Sequence, residues 1–250
     1  MSNSIVFEDL GRIRYKKAWD YQEKIFQALI KQKSLKAERY RKSLSLATIK
    51  SESIKNDTVS QKQYLLFCEH EHVYTLGKSG EKQNLLIAKS ICESKDIDLH
   101  EIDRGGDITY HGPGQLVAYP IIDLEEYGIG IKNYVHMLED VVIETLKSFG
   151  IKGEKDEKAM GVWIEADNPL KARKICAIGV KASRYVTMHG LALNVNSDLS
   201  YFNYINPCGF TDRGVTSMEK ELNSNLDFKK VSDVMRDAFA NVFGMEWIEP

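Results

Sequence analysis

The chain has 250 residues, a formal charge of -2 and 43% hydrophobic residues. This composition is typical of a soluble globular protein, and the nearly balanced charge disfavours nucleic-acid binding through bulk charge. No apolar run approaches the roughly 20 residues of a membrane span, and the N-terminus lacks the basic and apolar stretches of a secretory signal. Four scattered cysteines do not form a disulfide framework, so we expect a cytoplasmic protein with reduced thiols.

The first predicted element is an amphipathic helix around residues 20–30, where apolar residues recur at helical spacing. The next segment, residues 31–62, carries nine basic and three acidic residues with little periodicity. We interpret it as a basic polar insertion, helical in its first half and loose near 51–60. A docking surface for an acidic partner is the alternative to a plain solvated linker.

Apolar and alternating runs predict strands in the middle of the chain, with helices before, between and after them. Gly150 and Gly244 are placed to end two of these helices, and Asp227 to cap the N-terminus of the second. This order predicts a mixed α/β domain. The remaining predicted elements are strands at 64–67, 115–124, 174–181 and 185–196, and helices at 131–149 and 227–243.

The segment 104–115 contains four glycines, a proline and several polar residues. Closely spaced glycines let the backbone approach a ligand and leave N–H groups to bind it, while Arg104 and His111 add side-chain donors. The G-x-G-x-x-G spacing of a dinucleotide site is absent, and Gly77-Lys78-Ser79 lacks the first glycine of a phosphate-binding loop. The segment therefore indicates a binding loop of another kind, with a plain glycine-rich turn as the alternative.

Cys208 and Lys174 are candidates for reactive side chains. Cys208 lies between a proline and a glycine, in a turn from which its thiol would project. Lys174 begins an alternating pattern that predicts Lys174, Cys176 and Ile178 on one strand face. On composition alone, a buried structural cysteine and a solvated lysine are the alternatives.

Cys68, His70 and His72 alternate along a predicted strand and invite a zinc hypothesis. The usual ligand spacings are missing, and no fourth ligand is evident in the sequence. We therefore expect no metal, and interpret these residues as packing and hydrogen-bonding groups beside the binding loop.

Five segments resemble, in the same order, the motifs of the lipoyl(octanoyl) transferase family, the octanoyl-acyl-carrier-protein:protein octanoyltransferases. The similarity covers about residues 64–220, and the 104–115 segment is its most specific part. The basic segment before Tyr64 departs from the short connection that is usual in the family. The five segments are 69–77, 104–115, 174–179, 189–195 and 205–209.

The resemblance implies a single catalytic domain over residues 1–250, with the basic insertion at about 31–62. The implied fold is a mixed α/β sheet flanked by helices, related to biotin protein ligases and lipoate ligases. The implied donor is octanoyl-acyl carrier protein. The implied acceptors are the lipoyl domains of 2-oxoacid dehydrogenases and the glycine-cleavage H protein, with no cofactor, nucleic acid or membrane involved.

By motif match, Cys208 is the nucleophile that carries the acyl group, and Lys174 is its activating partner. A cysteine thioester divides the transfer into two easier steps, and a nearby lysine can accept the thiol proton and stabilise the thiolate. We therefore predict that Lys174 and Cys208 lie close together beside the acyl site. The residues that match the family's acyl site are Arg104, Gly105, Gly106, Asp107, Ile108, Thr109, Tyr110, His111, Ala177, Ile178, Gly179, Gly190, Leu191 and Ala192.

Two alternative functions remain open at this point. An ATP-dependent lipoate–protein ligase activates the acid as an adenylate and needs no cysteine nucleophile, so the Asn-Pro-Cys-Gly sequence at 206–209 favours the transferase. A non-catalytic module that binds acyl carriers would be suggested by loss of Lys174 or Cys208, and both are present. Acyl transfer without ATP would discriminate the transferase from the ligase.

Overall fold

The computed structural model describes residues 3–47, 62–206 and 213–249. Its strands are β1 (Asn3–Ile13), β2 (Gln63–His70), β3 (Val73–Leu76), β4 (Asp98–Glu101), β5 (Ile108–His111), β6 (Gln115–Ile121), β7 (Glu154–Lys155), β8 (Val162–Ile164), β9 (Arg173–Ser183), β10 (Val186–Asn194), β11 (Gly214–Val215) and β12 (Met245–Ile248). Its α-helices are α1 (Tyr15–Ala47), α2 (Lys89–Ser94), α3 (Ile131–Ser148), α4 (Met218–Leu222) and α5 (Phe228–Phe243).

Most of the strands form one large sheet in the order β12-β1-β2-β6-β10-β9-β8-β7, with β11 beside β9. β1 is parallel to both of its neighbours, and the pairs from β2 to β7 are antiparallel. Every residue of the central strands β6 and β10 is buried, which explains their nearly continuous apolar sequences. A second sheet has the order β4-β3-β5 and carries the glycine-rich segment at its edge.

The large sheet is covered by helices on both faces. On one face α3 and α5 complete the main core, with Leu138 and Phe239 fully buried. On the other face the first half of α1 buries Phe26 and Leu29 against β6 and β10. Burial of these apolar stripes is the main stabilising contribution that the helices make to the sheet.

The predicted helix ends are confirmed. α3 ends at Ser148, and Gly150 follows with a φ of 79°. The Asp227 side chain accepts a hydrogen bond from the Lys230 N–H at the start of α5, and Gly244 adopts the left-handed conformation at its end. Glycine is favoured there because a side chain strains a positive φ.

The basic insertion begins as a continuation of the first helix. The predicted helix at 20–30 is part of α1, which runs without a break to Ala47, so the first half of the insertion is helical as expected. Lys33 anchors it through ion pairs with Asp123 (2.6 Å) and Glu125 (2.7 Å). The segment 51–60, predicted to be loose, lies outside the described residues.

Among the helices in the described ranges, none combines the length and the apolar character needed to cross a membrane.

Candidate active site

A cavity of about 220 Å³ lies where the loop between β4 and β5 faces β9 and β10. The loop contributes Arg104, β5 contributes Thr109, and the large sheet contributes Lys174, Ala177 and Ala192. We call this the outer cavity. Because its walls come from both sheets, its shape depends on how the small sheet packs against the large one.

A smaller cavity of about 50 Å³ lies deeper between the same elements, and we call it the inner cavity. Its far side is formed by ring side chains, among them Tyr15, His111 and Tyr119. The outer and inner cavities are adjacent, because the same five residues line both. These shared residues are Arg104, Thr109, Ala177, Ile178 and Ala192.

A β-bulge turns Lys174 into the outer cavity. Val162 pairs with Cys176 and Trp163 pairs with Lys174, so Ile175 is an extra residue on β9. Ile175 and Cys176 are buried in the main core, whereas Lys174 and Ala177 line the cavity. The predicted alternation, with Lys174 and Cys176 on one face, is therefore wrong, because the bulge shifts the register between them.

Several groups hold the Lys174 side chain at the cavity wall. Its Nζ donates to the carbonyl oxygen of Met160 (3.1 Å) and lies 4.7 Å from the centre of the Trp163 ring. The Arg213 guanidinium lies 5.1 Å from the same ring and is paired with Asp156. Two cationic side chains thus share one indole, an arrangement that the ring quadrupole stabilises.

The loop before β5 is held by its own buried polar side chains. Arg104 donates to the carbonyl oxygens of Thr75 (2.7 Å) and Asp107 (2.8 Å). The Asp107 carboxylate accepts from the Ile108 N–H (2.6 Å) and from the Asn84 amide (2.6 Å). These bonds satisfy polar groups that would be costly to bury alone, and they fix the cavity wall.

The glycines at 179 and 190 allow close contact between backbone segments. A Cβ on Gly179 would lie 2.9 Å from the Gly105 carbonyl oxygen, and a Cβ on Gly190 would overlap the carbonyl oxygen of Ala118. The Gly105 N–H also donates a hydrogen bond to the carbonyl oxygen of Val180 (2.9 Å), which connects the loop to β9. The protein's own backbone fills the space that these two glycines leave.

Tyr110 and His111 are the last two residues of β5, and their rings point in different directions. The Tyr110 hydroxyl is hydrogen-bonded to His72 Nδ1 (2.7 Å), and the ring stacks on Tyr201 at 4.9 Å, away from both cavities. His111 lines the inner cavity and donates through Nδ1 to the Gln115 side-chain oxygen (2.7 Å). Burial lowers the pKa of His111 to about 3, so its ring is neutral at physiological pH.

The structure brings most of the predicted acyl-site residues to the two cavities. Gly106, Asp107 and Ile108 line the outer cavity, and Gly105 and Tyr110 line neither. The shared residues given above line both cavities. The predicted residues that line the inner cavity alone are His111, Gly179, Gly190 and Leu191.

Cys208 lies outside the described residues, so its predicted proximity to Lys174 stays a prediction. The described residues on either side of it, Asn206 and Arg213, both line an opening of about 610 Å³. This opening shares Phe202 and Arg213 with the outer cavity and is therefore continuous with its mouth.

Of the residues considered for zinc, Cys68 and His70 are in contact, and His72 has different partners. Cys68 Sγ lies 3.5 Å from His70 Nε2, which also meets the Tyr119 hydroxyl at 2.7 Å. His72 instead contacts Tyr110, on the side of the small sheet away from the cavities. Within residues 3–47, 62–206 and 213–249, no group of three or more His, Cys, Asp or Glu side chains is arranged to hold a metal.

Sequence reasoning missed several cavity residues. Trp163 and Arg213 lie outside the recognised motifs, and their importance depends on the ring contacts with Lys174. Tyr15 precedes the glycine-rich segment by about 90 positions, and nothing in its local sequence indicates a place in the inner cavity. Only the tertiary fold brings these residues to the site.

The family and the fold follow from comparison with known proteins. The family model of the lipoyl protein ligase A/B catalytic domain matches residues 39–240, and the chain belongs to this family. A solved bi-partite lipoate protein ligase from Thermoplasma acidophilum has a TM-score of 0.70 at 14% identity, covering 99% of this chain and 86% of that one. Lipoate-protein ligase A bound with ATP gives 0.67 at 14% identity, covering 100% and 88%. The predicted mixed α/β fold is therefore confirmed.

Relatives with higher sequence identity indicate the type of enzyme within this family. The octanoyltransferase of Parabacteroides distasonis is 47% identical over 240 residues, which cover 96% of this chain and 99% of the relative. That of Cytophaga hutchinsonii is 48% identical, with coverage of 94% and 90%. The octanoyltransferase of Porphyromonas gingivalis is longer, and the match at 48% identity covers 95% of this chain and 44% of that protein. As predicted, the chain is an acyltransferase of the octanoyltransferase type.

Proposed function

We propose that the chain transfers an octanoyl group from octanoyl-acyl carrier protein to a specific lysine of lipoyl domains and of the glycine-cleavage H protein, through a thioester on Cys208. The observation that carries this proposal is the amine of Lys174 at the wall of a cavity that adjoins a smaller, largely apolar one. Support also comes from Asn206 and Arg213, which flank the Cys208 segment at the mouth of that cavity.

In this proposal the acyl tail runs inward along β9. Lys174 lies at the outer end of this path and Gly179 lines the inner cavity, roughly 15 Å further at the usual rise per strand residue. That length is sufficient for an eight-carbon acyl group and its thioester. Ala177, Ile178 and Ala192 line the path between the two ends, so the methylenes meet apolar side chains.

The reaction requires two acyl transfers. In the first, the Cys208 thiolate attacks the donor thioester, a new C–S bond forms, and the carrier leaves as a thiol that takes up a proton. In the second, the acceptor lysine amine attacks the acyl-enzyme, forms the amide and releases the Cys208 thiol. Lys174 is proposed to accept the Cys208 proton before the first transfer and to stabilise the thiolate as a cation.

The other cysteines in the described residues are poor candidates for the nucleophile. Cys68, Cys92 and Cys176 are all buried. Burial raises the pKa of the Cys176 thiol to about 12 and raises the pKa of Cys68 as well. Because the thiolate is the reactive form, these thiols are inert at neutral pH.

The test is intact mass after incubation with octanoyl-acyl carrier protein in the absence of ATP, followed by peptide mapping. We expect one octanoyl group on Cys208, none on the Cys208→Ser variant, and release of the label to an acceptor lysine. Acylation of another cysteine would overturn the mechanism. A strict requirement for ATP would identify a lipoate–protein ligase instead, and binding of carrier without acylation would identify a non-catalytic module.

A further inference from the structure

One wall of the inner cavity is formed by a residue from outside the recognised motifs. Tyr15, the first residue of α1, lines the inner cavity with only 2% of its surface exposed. It lies beside His111 and Tyr119 in that lining, whereas the opposite end leads to Lys174. A chain that enters from the Lys174 side and runs into the inner cavity therefore meets a wall that includes the Tyr15 ring.

The Tyr15 ring is held between two imidazoles. It stacks on His111 with ring centres 5.9 Å apart and planes at 9°, and on His100 at 5.7 Å and 24°. Aromatic stacking at these distances stabilises a fixed ring orientation. Tyr15 is therefore a firm wall, unlike a flexible side chain that would yield to a longer ligand.

The backbone around Tyr15 is anchored to both sheets. His70 Nδ1 donates to the carbonyl oxygen of Ile13 (2.9 Å) at the end of β1. Arg14 forms ion pairs with Asp96 (2.8 Å) and Asp98 (3.2 Å) beside the small sheet. Both residues before Tyr15 therefore have contacts that help to position the start of α1.

Two of the imidazoles that contact the Tyr15 ring, those of His70 and His111, are uncharged. Burial lowers the pKa of His70 to about 4 and that of His111 to about 3, so both imidazoles are neutral at physiological pH. A neutral ring wall is compatible with the methyl end of a saturated acyl chain, because no buried charge is desolvated by the contact.

Apolar residues lie behind the Tyr15 ring. Tyr15 packs in a cluster with Val73, Ile102 and Trp19, which are separate from the cavity lining. Shortening the side chain at position 15 would therefore extend the inner cavity toward apolar surface rather than toward solvent.

We propose that Tyr15 sets the maximum length of the acyl chain that the enzyme accepts, by closing the inner cavity beyond the eighth carbon. This inference rests on the proposed octanoyl transfer. It assigns the limit on chain length to the junction of β1 and α1, while the recognised motifs form the sides of the acyl path.

The test compares single-turnover acylation of the full-length chain by hexanoyl, octanoyl, decanoyl and dodecanoyl thioesters of the carrier protein. In the wild-type enzyme, kcat/KM should fall at least tenfold from octanoyl to decanoyl, since a poorly fitted methylene costs about tenfold or more. Tyr15→Leu should raise the decanoyl-to-octanoyl ratio by about tenfold, and Tyr15→Trp should raise the hexanoyl-to-octanoyl ratio. Tyr15→Phe is the matched control and should keep the wild-type ratios.

The outcomes separate this inference from the proposed function. If the wild-type enzyme acylates Cys208 with octanoyl but accepts dodecanoyl equally well, Tyr15 sets no limit, and no variant is needed to reach that conclusion. Unchanged ratios in folded Tyr15→Leu and Tyr15→Trp would also overturn the inference while octanoyl transfer stands. Absence of octanoyl transfer by the wild-type enzyme would instead refute the proposed function.

Discussion

Lys174 is the residue on which the proposed chemistry depends most. Its amine is held by the Met160 carbonyl and the Trp163 ring, in a position fixed by the extra residue in β9. These contacts place the Lys174 amine at the wall of the outer cavity, where the acyl path begins. The residue can therefore serve as charge, as proton acceptor, or as both, and substitution distinguishes these roles.

We expect Lys174→Ala to slow single-turnover acylation of Cys208 by about 10²–10⁴-fold, the usual cost of losing a general base. Lys174→Arg should restore little, because arginine keeps the charge but does not readily accept a proton. The rates should be measured against pH, with Lys171→Ala as the control, since Lys171 is exposed and outside the cavity lining. A near-normal rate in Lys174→Arg would show that the charge alone is sufficient.

Gly190 and Gly105 differ in what an added methyl group would contact. A Cβ on Gly190 would overlap the Ala118 carbonyl, whereas the nearest atom to a Cβ on Gly105 is the Val180 carbonyl oxygen at 3.4 Å. Gly190→Ala should therefore lower the free energy of unfolding by about 3 kcal/mol, and Gly105→Ala by much less. Urea denaturation of both variants measures this difference. Equal urea midpoints for the two variants would mean that β10 and β6 can separate without a loss of folding stability.

At the scale of single elements, the position of Lys174 on β9 shows which features of a strand can be predicted from sequence. Alternation correctly predicted that β9 is a strand, but the bulge at Ile175 was not visible because no glycine or proline marks it. Helices α3 and α5 were predictable because long apolar stripes and end signals agree. Within the acyl site, the order of motifs identified the walls, whereas Tyr15 and Trp163 depend on tertiary contacts alone.

The basic half of α1 lies far from the cavity mouth. Ser34 accepts a hydrogen bond from Arg184, in the turn between β9 and β10. Lys174 is at the other end of β9, about 30 Å away at the usual strand rise. This distance favours a peripheral role for the insertion in the chemistry.

We expect that replacing residues 36–60 with a short Gly/Ser linker leaves transfer from a small octanoyl thioester nearly unchanged, because the anchors Lys33 and Ser34 remain. The same variant should be assayed with intact octanoyl-acyl carrier protein. Weaker reaction with the carrier alone would identify the basic segment as a docking surface. Loss of both activities in a folded variant would show that the segment contributes to the active site.

At the scale of the whole molecule, the centre of the large sheet was easier to predict than its edges. β6 and β10 are continuous apolar runs, whereas β1 mixes charged and apolar residues, and β12 is short. Neither β1 nor β12 was predicted, since their pairing depends on contacts between distant parts of the chain. The small sheet was not predicted either, for the same reason.

Stability should decline as the pH falls below about 6.5. Burial lowers the pKa values of His70, His111 and His189, so the folded state stays unprotonated where the unfolded chain, with histidine pKa values near 6.5, takes up protons. Their stabilising effect is therefore complete above that pH and is lost as the pH falls toward the folded pKa values. Between pH 6.5 and 5, His70 and His111 each contribute a loss on the order of 2 kcal/mol.

Urea midpoints at pH 8, 6.5 and 5 measure this dependence, with the pH 8 value as the reference. The His111→Gln variant should show a smaller decrease between pH 8 and 5 than the wild-type protein, because one of the protonation sites is removed. A midpoint that is constant from pH 8 to 5 would contradict the prediction.

The pairing of β1 has a consequence for how the enzyme acquires its active form. Ile5 pairs with Gln63, and Asn3 pairs with Met245, so β1 joins strands that are far apart along the chain. The hairpin of β9 and β10 is local, and closing a short loop costs less conformational entropy than joining distant segments. We expect β1 to dock late during refolding, which pulse-labelling hydrogen exchange would detect as delayed amide protection. Because Tyr15 follows β1 directly, a late-docking β1 would leave a folding intermediate with an acyl path still open at its inner end.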